Sequence, residues 1–231
     1  MRRFLKVLNL TCFCIPLLFV QCHHSQNAGN CEKYLELAQA GQNYMYKSRF
    51  ELNPSFLDSA LMCFNEAEQL CPNKKSVMSY NKSFAYFDKK DYENAVKMLE
   101  LSADSLFFYP EYKIVLVESI RAKSAEELRD SIAQKRHYEN IIATFDNFLE
   151  TYRTDADSFM CLPDGDYVRL TLYGMNLAER YYYRAKIAGK QKTLSELDAL
   201  QKATGYNQDF INWVKDVVSG DKGQSIQILF D

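Results

Sequence analysis

The sequence predicts an all-α fold over residues 31–231. Apolar residues recur there at helical spacing, and no alternating stretch rich in Val, Ile and Thr appears before the last residues. Glycine and proline are scarce, 8 and 5 in 231 residues, and most of them fall between the helical stretches. The predicted helices span residues 31–48, 55–70, 75–88, 91–106, 110–122, 124–152, 166–188, 194–204 and 207–218.

Helix breakers and capping patterns set these boundaries. The breakers, in chain order, are Asn53-Pro54, Pro72-Asn73, Pro110, Pro163-Asp164-Gly165, Gly189, Gly205 and Gly220. Ser124–Glu127 and Thr193–Glu196 match the capping box, which predicts a helix start at each. Gly205 stands where a helix commonly ends on a left-handed glycine.

Two segments repeat one spacing of small and apolar residues, 35 residues apart. An apolar residue is followed after three positions by a small one, after four more by a large apolar one, and after three more by a second small one. The two sets are Leu57, Ala60, Phe64, Ala67 and Tyr92, Ala95, Leu99, Ser102. Small residues at such positions let two helices approach closely.

This spacing resembles the tetratricopeptide repeat, a 34-residue helix–turn–helix unit. The likeness is clearest in residues 77–106, where FAYFDKKDYENAVKML is similar to the turn region of that family. A third unit near Tyr138 has large residues at both small positions. The resemblance implies a short right-handed solenoid of antiparallel helix hairpins, completed by C-terminal capping helices.

The N-terminus has the layout of a secretory signal. Arg2, Arg3 and Lys6 are positive, and the uncharged run 7–20 is too short for an ordinary membrane span. The run ends at Gln21-Cys22 and changes abruptly to polar HHSQNAGN. An apolar stretch that ends at a Cys before a polar segment resembles the lipobox of bacterial lipoproteins, including those of the Bacteroidetes.

That resemblance implies cleavage before Cys22 and acylation of this residue, which would hold the protein on a membrane. Residues 1–21 are then the signal peptide, 22–30 a lipidated flexible tether and 31–231 the helical domain. The expected location is the outer membrane, facing the periplasm. Gln21 departs from the small residue that lipoboxes favour, so an ordinary cleaved signal peptide or an uncleaved anchor remains the alternative.

Charge and motifs narrow the classes of function. Without residues 1–21 the chain has 25 Lys and Arg against 30 Asp and Glu, and no basic cluster is interleaved with aromatic residues, so nucleic acid is not an expected partner. No nucleophile elbow, zinc-protease, phosphate-loop or dinucleotide motif occurs, and we predict no enzyme, metal or cofactor. Asp155, Asp157 and Asp164 are interpreted as loop acids.

Three aromatic residues form the candidate partner-binding site. Tyr80, Phe84 and Phe87 follow an i, i+4, i+7 spacing and therefore make one stripe on the predicted helix 75–88. In the tetratricopeptide family this helix supplies most of the groove that holds a partner. The alternative is that C-terminal helices cover the stripe and make it part of the core. Of the adjacent tyrosines 181–183, at least one hydroxyl should reach solvent or a neighbouring helix.

Four cysteines remain after Cys22. If residues 31–48 and 55–70 form an antiparallel hairpin, Cys31 and Cys71 lie at adjacent helix ends, where an oxidising periplasm could join them. Cys63 lies two turns inside the second helix and should stay a free thiol. In the alternative, all four thiols, including Cys161, are free.

The expected function is an envelope interaction module that binds a protein or peptide partner on its helical surface. An immunity or inhibitor lipoprotein with one cognate protein is the first alternative. An envelope hydrolase or a small-ligand sensor is the second, and a deep pocket with convergent polar side chains would favour it.

Overall fold

The computed structural model describes residues 28–107, 109–165, 168 and 171–220, and this part of the chain confirms the all-α prediction. It contains nine α-helices and two 3-10 helices, Pro72–Lys74 and Asp104–Leu106, and no strand. The α-helices are α1 (Ala28–Glu51), α2 (Ser55–Leu70), α3 (Lys75–Asp88), α4 (Tyr92–Glu100), α5 (Pro110–Glu127), α6 (Ser131–Met160), α7 (Leu172–Ala188), α8 (Lys190–Thr204) and α9 (Gln208–Ser219).

Two predicted helices, 55–70 and 75–88, match α2 and α3 at both ends. The predicted helix 91–106 is too long, because α4 ends at Glu100. The backbone is extended at Ala103, where its N–H donates to the hydroxyl of Ser76 on α3 across 2.5 Å. This contact takes the N–H away from a helical carbonyl and closes the turn.

Both predicted capping boxes are wrong. α5 continues through Ser124 to Glu127, and the carboxylate of Asp130 caps α6 by accepting the N–H of Ala133 at 2.9 Å. α8 begins at Lys190 rather than near Thr193, whose hydroxyl donates back to the carbonyl of Gly189. The left-handed glycine predicted at 205 is confirmed, with φ of 68°.

The α3–α4 and α5–α6 turns have the same geometry, 39 residues apart. Lys90 and Arg129 adopt left-handed φ values of 62° and 58°. The next residues, Asp91 and Asp130, donate their N–H to the carbonyl five positions earlier, both at 2.9 Å, and cap the following helix with their carboxylates. The α1–α2 turn also has a left-handed residue, Leu52, with φ of 52°.

Each helix packs mainly against the next one in the chain. The α1–α2 pair is antiparallel, because Gly41 lies against Phe64 while the later Tyr44 stacks on the earlier Phe56. A Cβ on Gly41 would stand 2.4 Å from the Phe64 ring, so only glycine fits there. Four hydrophobic clusters follow one another along the chain, from α1–α3 to the largest, which α6–α9 form.

Candidate functional site

The aromatic stripe of Tyr80, Phe84 and Phe87 lies on α3 and faces α4 and α5. Phe84 is only 7% exposed and belongs to the hydrophobic cluster that contains Leu99 and Leu116. Tyr80 and Phe87 are partly buried at the edges of the same cluster. Partner binding by the three residues stays a prediction, and the accessible parts of the stripe are Tyr80 and Phe87.

Tyr80 of the stripe and Tyr112 of α5 pack against the same hydrophobic cluster. Its ring contacts Phe84 edge-on at 5.0 Å between centroids. The pKa of Tyr112 on α5 is raised, first by burial and then by the nearby Glu179. Neighbouring tyrosines, Tyr80 among them, raise it further. We call Tyr80, Tyr109 and Tyr112, which are all partly exposed, the tyrosine face.

Two side-chain hydrogen bonds join the start and the middle of α5 to α7. The hydroxyl of Tyr109, the residue before α5, donates to the side-chain oxygen of Asn176. Further along both helices, the hydroxyls of Ser119 and Tyr183 are 2.8 Å apart. The second contact lies later in the sequence of both helices than the first, so α5 and α7 run parallel. The second contact confirms that a hydroxyl from the run 181–183 reaches a neighbouring helix.

The backbones of α5 and α7 stay apart, since the two are not among the described helix pairs that pack closely. Long side chains therefore span a seam between them. Glu179 lies in this seam, because it is three residues after Asn176 and four before Tyr183, which puts the three on one face of α7. Its charge contributes to the raised pKa values of both Tyr109 and Tyr112, after the larger effect of burial.

Glu179 has no hydrogen bond or ion pair with any residue that the structure describes. Burial raises the pKa of its carboxyl from 4.5 to about 8. Its oxygens still reach solvent, because no described side-chain nitrogen or oxygen is both fully buried and without a hydrogen-bond partner. By contrast, Glu196 on α8 accepts two hydrogen bonds from Arg184.

The tyrosines beside Glu179 keep their protons at neutral pH. Burial raises the pKa of Tyr80 to about 12, and that of Tyr109 is also raised, first by burial and then by Glu179. The described part of the seam thus combines neutral hydroxyls and aromatic rings with one carboxyl group, that of Glu179, which has no cation beside it and ionises only above neutral pH. Such a set can bind a positively charged group, through the carboxylate and through the ring faces.

A second polar cluster joins α5 to α6, and its acid is fully paired. Glu118 accepts hydrogen bonds from His137, Asn140 and Arg121 at 2.8–2.9 Å. Burial opposes ionisation of Glu118, but these three bonds outweigh it and lower its pKa. A shallow cavity of about 220 Å³ adjoins His137 and Arg121. Because both of its oxygens accept hydrogen bonds from side chains of α5 and α6, Glu118 serves to hold this helix pair together.

No three His, Cys, Asp or Glu side chains of the described residues gather as metal ligands would. The interpretation of Asp155 and Asp157 as loop acids is wrong, since both lie in α6, where Asp157 accepts a hydrogen bond from Tyr206 at 2.9 Å. Asp164 does lie in the loop after α6.

The lipid site and one half of the proposed disulfide fall outside what the structure describes. Cys22 lies in the segment 1–27, and the side chain of Cys31, in α1, is likewise not described. The Cys71 thiol is buried and 2.9 Å from the side-chain oxygen of Asn73, so its pairing with Cys31 stays a prediction. Cys63 is a free thiol, as expected, and burial raises its pKa.

Sequence reasoning missed Glu179, Asn176 and the two tyrosines at the start of α5. The signal was present on α7, where Asn176, Glu179 and Tyr183 make a polar stripe at i, i+3, i+7 spacing. A single glutamate in a helix ordinarily lies in solvent, and the residues that bury this one are about 70 positions away in the chain.

None of the described helices is both long and apolar enough to cross a bilayer. Comparison of the chain with protein-family models, with curated proteins and with solved structures found no match in any of the three.

Proposed function

We propose that this chain is an interaction module of the bacterial cell envelope, which holds a segment of a partner protein against the tyrosine face. The observation that carries the proposal is the seam between α5 and α7, where partly exposed tyrosines flank the unpaired carboxylate of Glu179. Tyrosine is enriched at protein interfaces because its ring gives apolar contact while its hydroxyl stays hydrogen-bonded.

We further propose how the helices are arranged. The α-helices form a right-handed solenoid of hairpins like that of tetratricopeptide proteins, in which α3, α5 and α7 are the first helices of successive hairpins. The matching turns at Lys90 and Arg129, the packing of each helix on the next, and the parallel course of α5 and α7 support this arrangement.

The module is anchored by lipid on Cys22 and faces the periplasm from the outer membrane. The positive residues before the apolar run 7–20 and the polar segment after Cys22 support export and acylation. On this proposal the tether separates the binding face from the membrane, and the partner is another envelope protein rather than nucleic acid.

Site-specific photo-crosslinking tests the proposed function. A photoreactive phenylalanine analogue at position 80, on the tyrosine face, should give discrete adducts in intact cells that express the full chain. The same analogue at Tyr46, which is 46% exposed on α1, is the matched control. Adducts from position 46 that equal those from position 80, or no adduct from position 80, would contradict a binding role for this face.

A further inference from the structure

We propose that Glu179, together with Tyr109 and Tyr112, receives a lysine or arginine side chain of the bound partner. This inference rests on the proposed function and names the chemical group that the seam selects.

No cation among the described residues lies beside Glu179. An unpaired carboxylate in a desolvated position is costly, and a protein gains nothing for its own folding from keeping one there. The described residues place Lys186 over the ring of Tyr182 and Arg184 on Glu196, so the cations near the end of α7 are engaged elsewhere. Among the residues that the structure describes, none supplies a positive charge to the seam, and a partner can supply it.

Two hydrogen bonds and two tyrosine rings define the geometry of the seam. Hydrogen bonds at Tyr109–Asn176 and Ser119–Tyr183 hold α5 and α7 in register on both sides of Glu179. The Tyr109 and Tyr112 rings are 5.5 Å apart between centroids, and the charge of Glu179 contributes to the raised pKa values of both. A cation placed among them contacts ring faces as well as a carboxylate, and both interactions strengthen where water is excluded.

Access to Glu179 from solvent is narrow. The tyrosine face and Glu179 are only partly exposed, so a bulky globular surface cannot reach the carboxylate. A lysine or arginine can, because it carries its charge at the end of a thin apolar stem. The neutral hydroxyls of Tyr109 and Tyr112, whose pKa values are raised, add no competing negative charge at neutral pH.

A lysine-side-chain mimic tests the inference on the full mature chain. n-Butylammonium, titrated at about pH 9, should give saturable NMR shifts at Tyr112 and on α7, while the uncharged butan-1-ol should not. Glu179→Gln should weaken butylammonium binding at least about tenfold. Glu36→Gln, on the exposed surface of α1, should leave it unchanged.

Each contrary result has a distinct meaning. Equal responses to the amine and the alcohol, or unchanged binding by Glu179→Gln, would overturn the cation site. Lys222 lies in the segment 221–231, outside the described residues. A response that appears only after Lys222→Gln would overturn the inference as well, since a lysine of this chain would then be the occupant. If position 80 crosslinks a partner equally well with and without Glu179→Gln, the cation inference fails while the proposed function stands. If butylammonium binds but no partner crosslinks, the reverse holds.

Discussion

Replacing Glu179 by glutamine should stabilise the protein in a strongly pH-dependent way. Burial raises the pKa of this carboxyl from 4.5 in the unfolded chain to about 8. The folded state therefore binds the proton more tightly, so the stability that this group contributes is complete below about pH 4.5 and is lost as the pH rises to about 8. A tenfold difference in proton affinity is worth about 1.4 kcal/mol, which makes the loss roughly 3 kcal/mol between about pH 4.5 and 7.

Glutamine has the shape of the protonated acid but cannot ionise. Glu179→Gln should thus change the free energy of unfolding little at about pH 4.5 and raise it by roughly 3 kcal/mol at about pH 7. Urea denaturation followed by circular dichroism, under reducing conditions, measures both values, and the exposed Glu36→Gln is the control. A difference that is the same at both pH values, or a loss of stability at about pH 7, would refute the idea that burial in the seam opposes ionisation of Glu179.

Three further substitutions test other parts of the molecule. Cys22→Ser should leave the precursor uncleaved or move the protein to the soluble fraction, whereas mass spectrometry of a mature, unacylated N-terminus at another residue would contradict lipidation. The double variant Phe84→Ala, Phe87→Ala should lower the free energy of unfolding, measured in urea, by about 3–5 kcal/mol, because Phe84 is only 7% exposed. A variant that melts normally but loses its crosslinked partner would show that the rings contact the partner instead. Arg129→Gly should raise the free energy of unfolding by up to about 1 kcal/mol, since its φ of 58° strains any residue with a Cβ, while Arg136→Gly inside α6 should lower it by a similar amount; a loss at Arg129 would mean that side-chain contacts there outweigh backbone strain.

Helices were predictable where a local signal had no competitor. α2 and α3 lie between proline-containing turns and a charged turn, and both of their ends follow from those residues alone. At the α5–α6 boundary two signals compete, since Ser124 and Asp130 can each cap a helix. Asp130 prevails because Arg129 takes the left-handed conformation that reverses the chain, and nothing local in an arginine predicts that.

The candidate site was less predictable, because its parts are far apart in the sequence. Tyr80 was found through periodicity within one helix, which is a local property. The environment of Glu179 depends on the gap between α5 and α7 and on the tyrosines that close it, and both follow from tertiary packing. Because the raised pKa of Glu179 comes from desolvation, the residues next to it in the sequence do not indicate it.

The packing of each helix on its sequence neighbour also sets the order in which structure can form. Contacts that are close in sequence have a low entropic cost of closure, so the α1–α2 hairpin can assemble before the rest of the chain exists as a structure. The next helix in the chain can then pack against each completed pair. The seam requires α5, α6 and α7 together, so it is assembled late, and the Glu179 carboxyl stays hydrated through most of folding. The cost of its desolvation therefore falls on the final steps, where it speeds the reopening of α7 more than it slows the formation of the earlier hairpins.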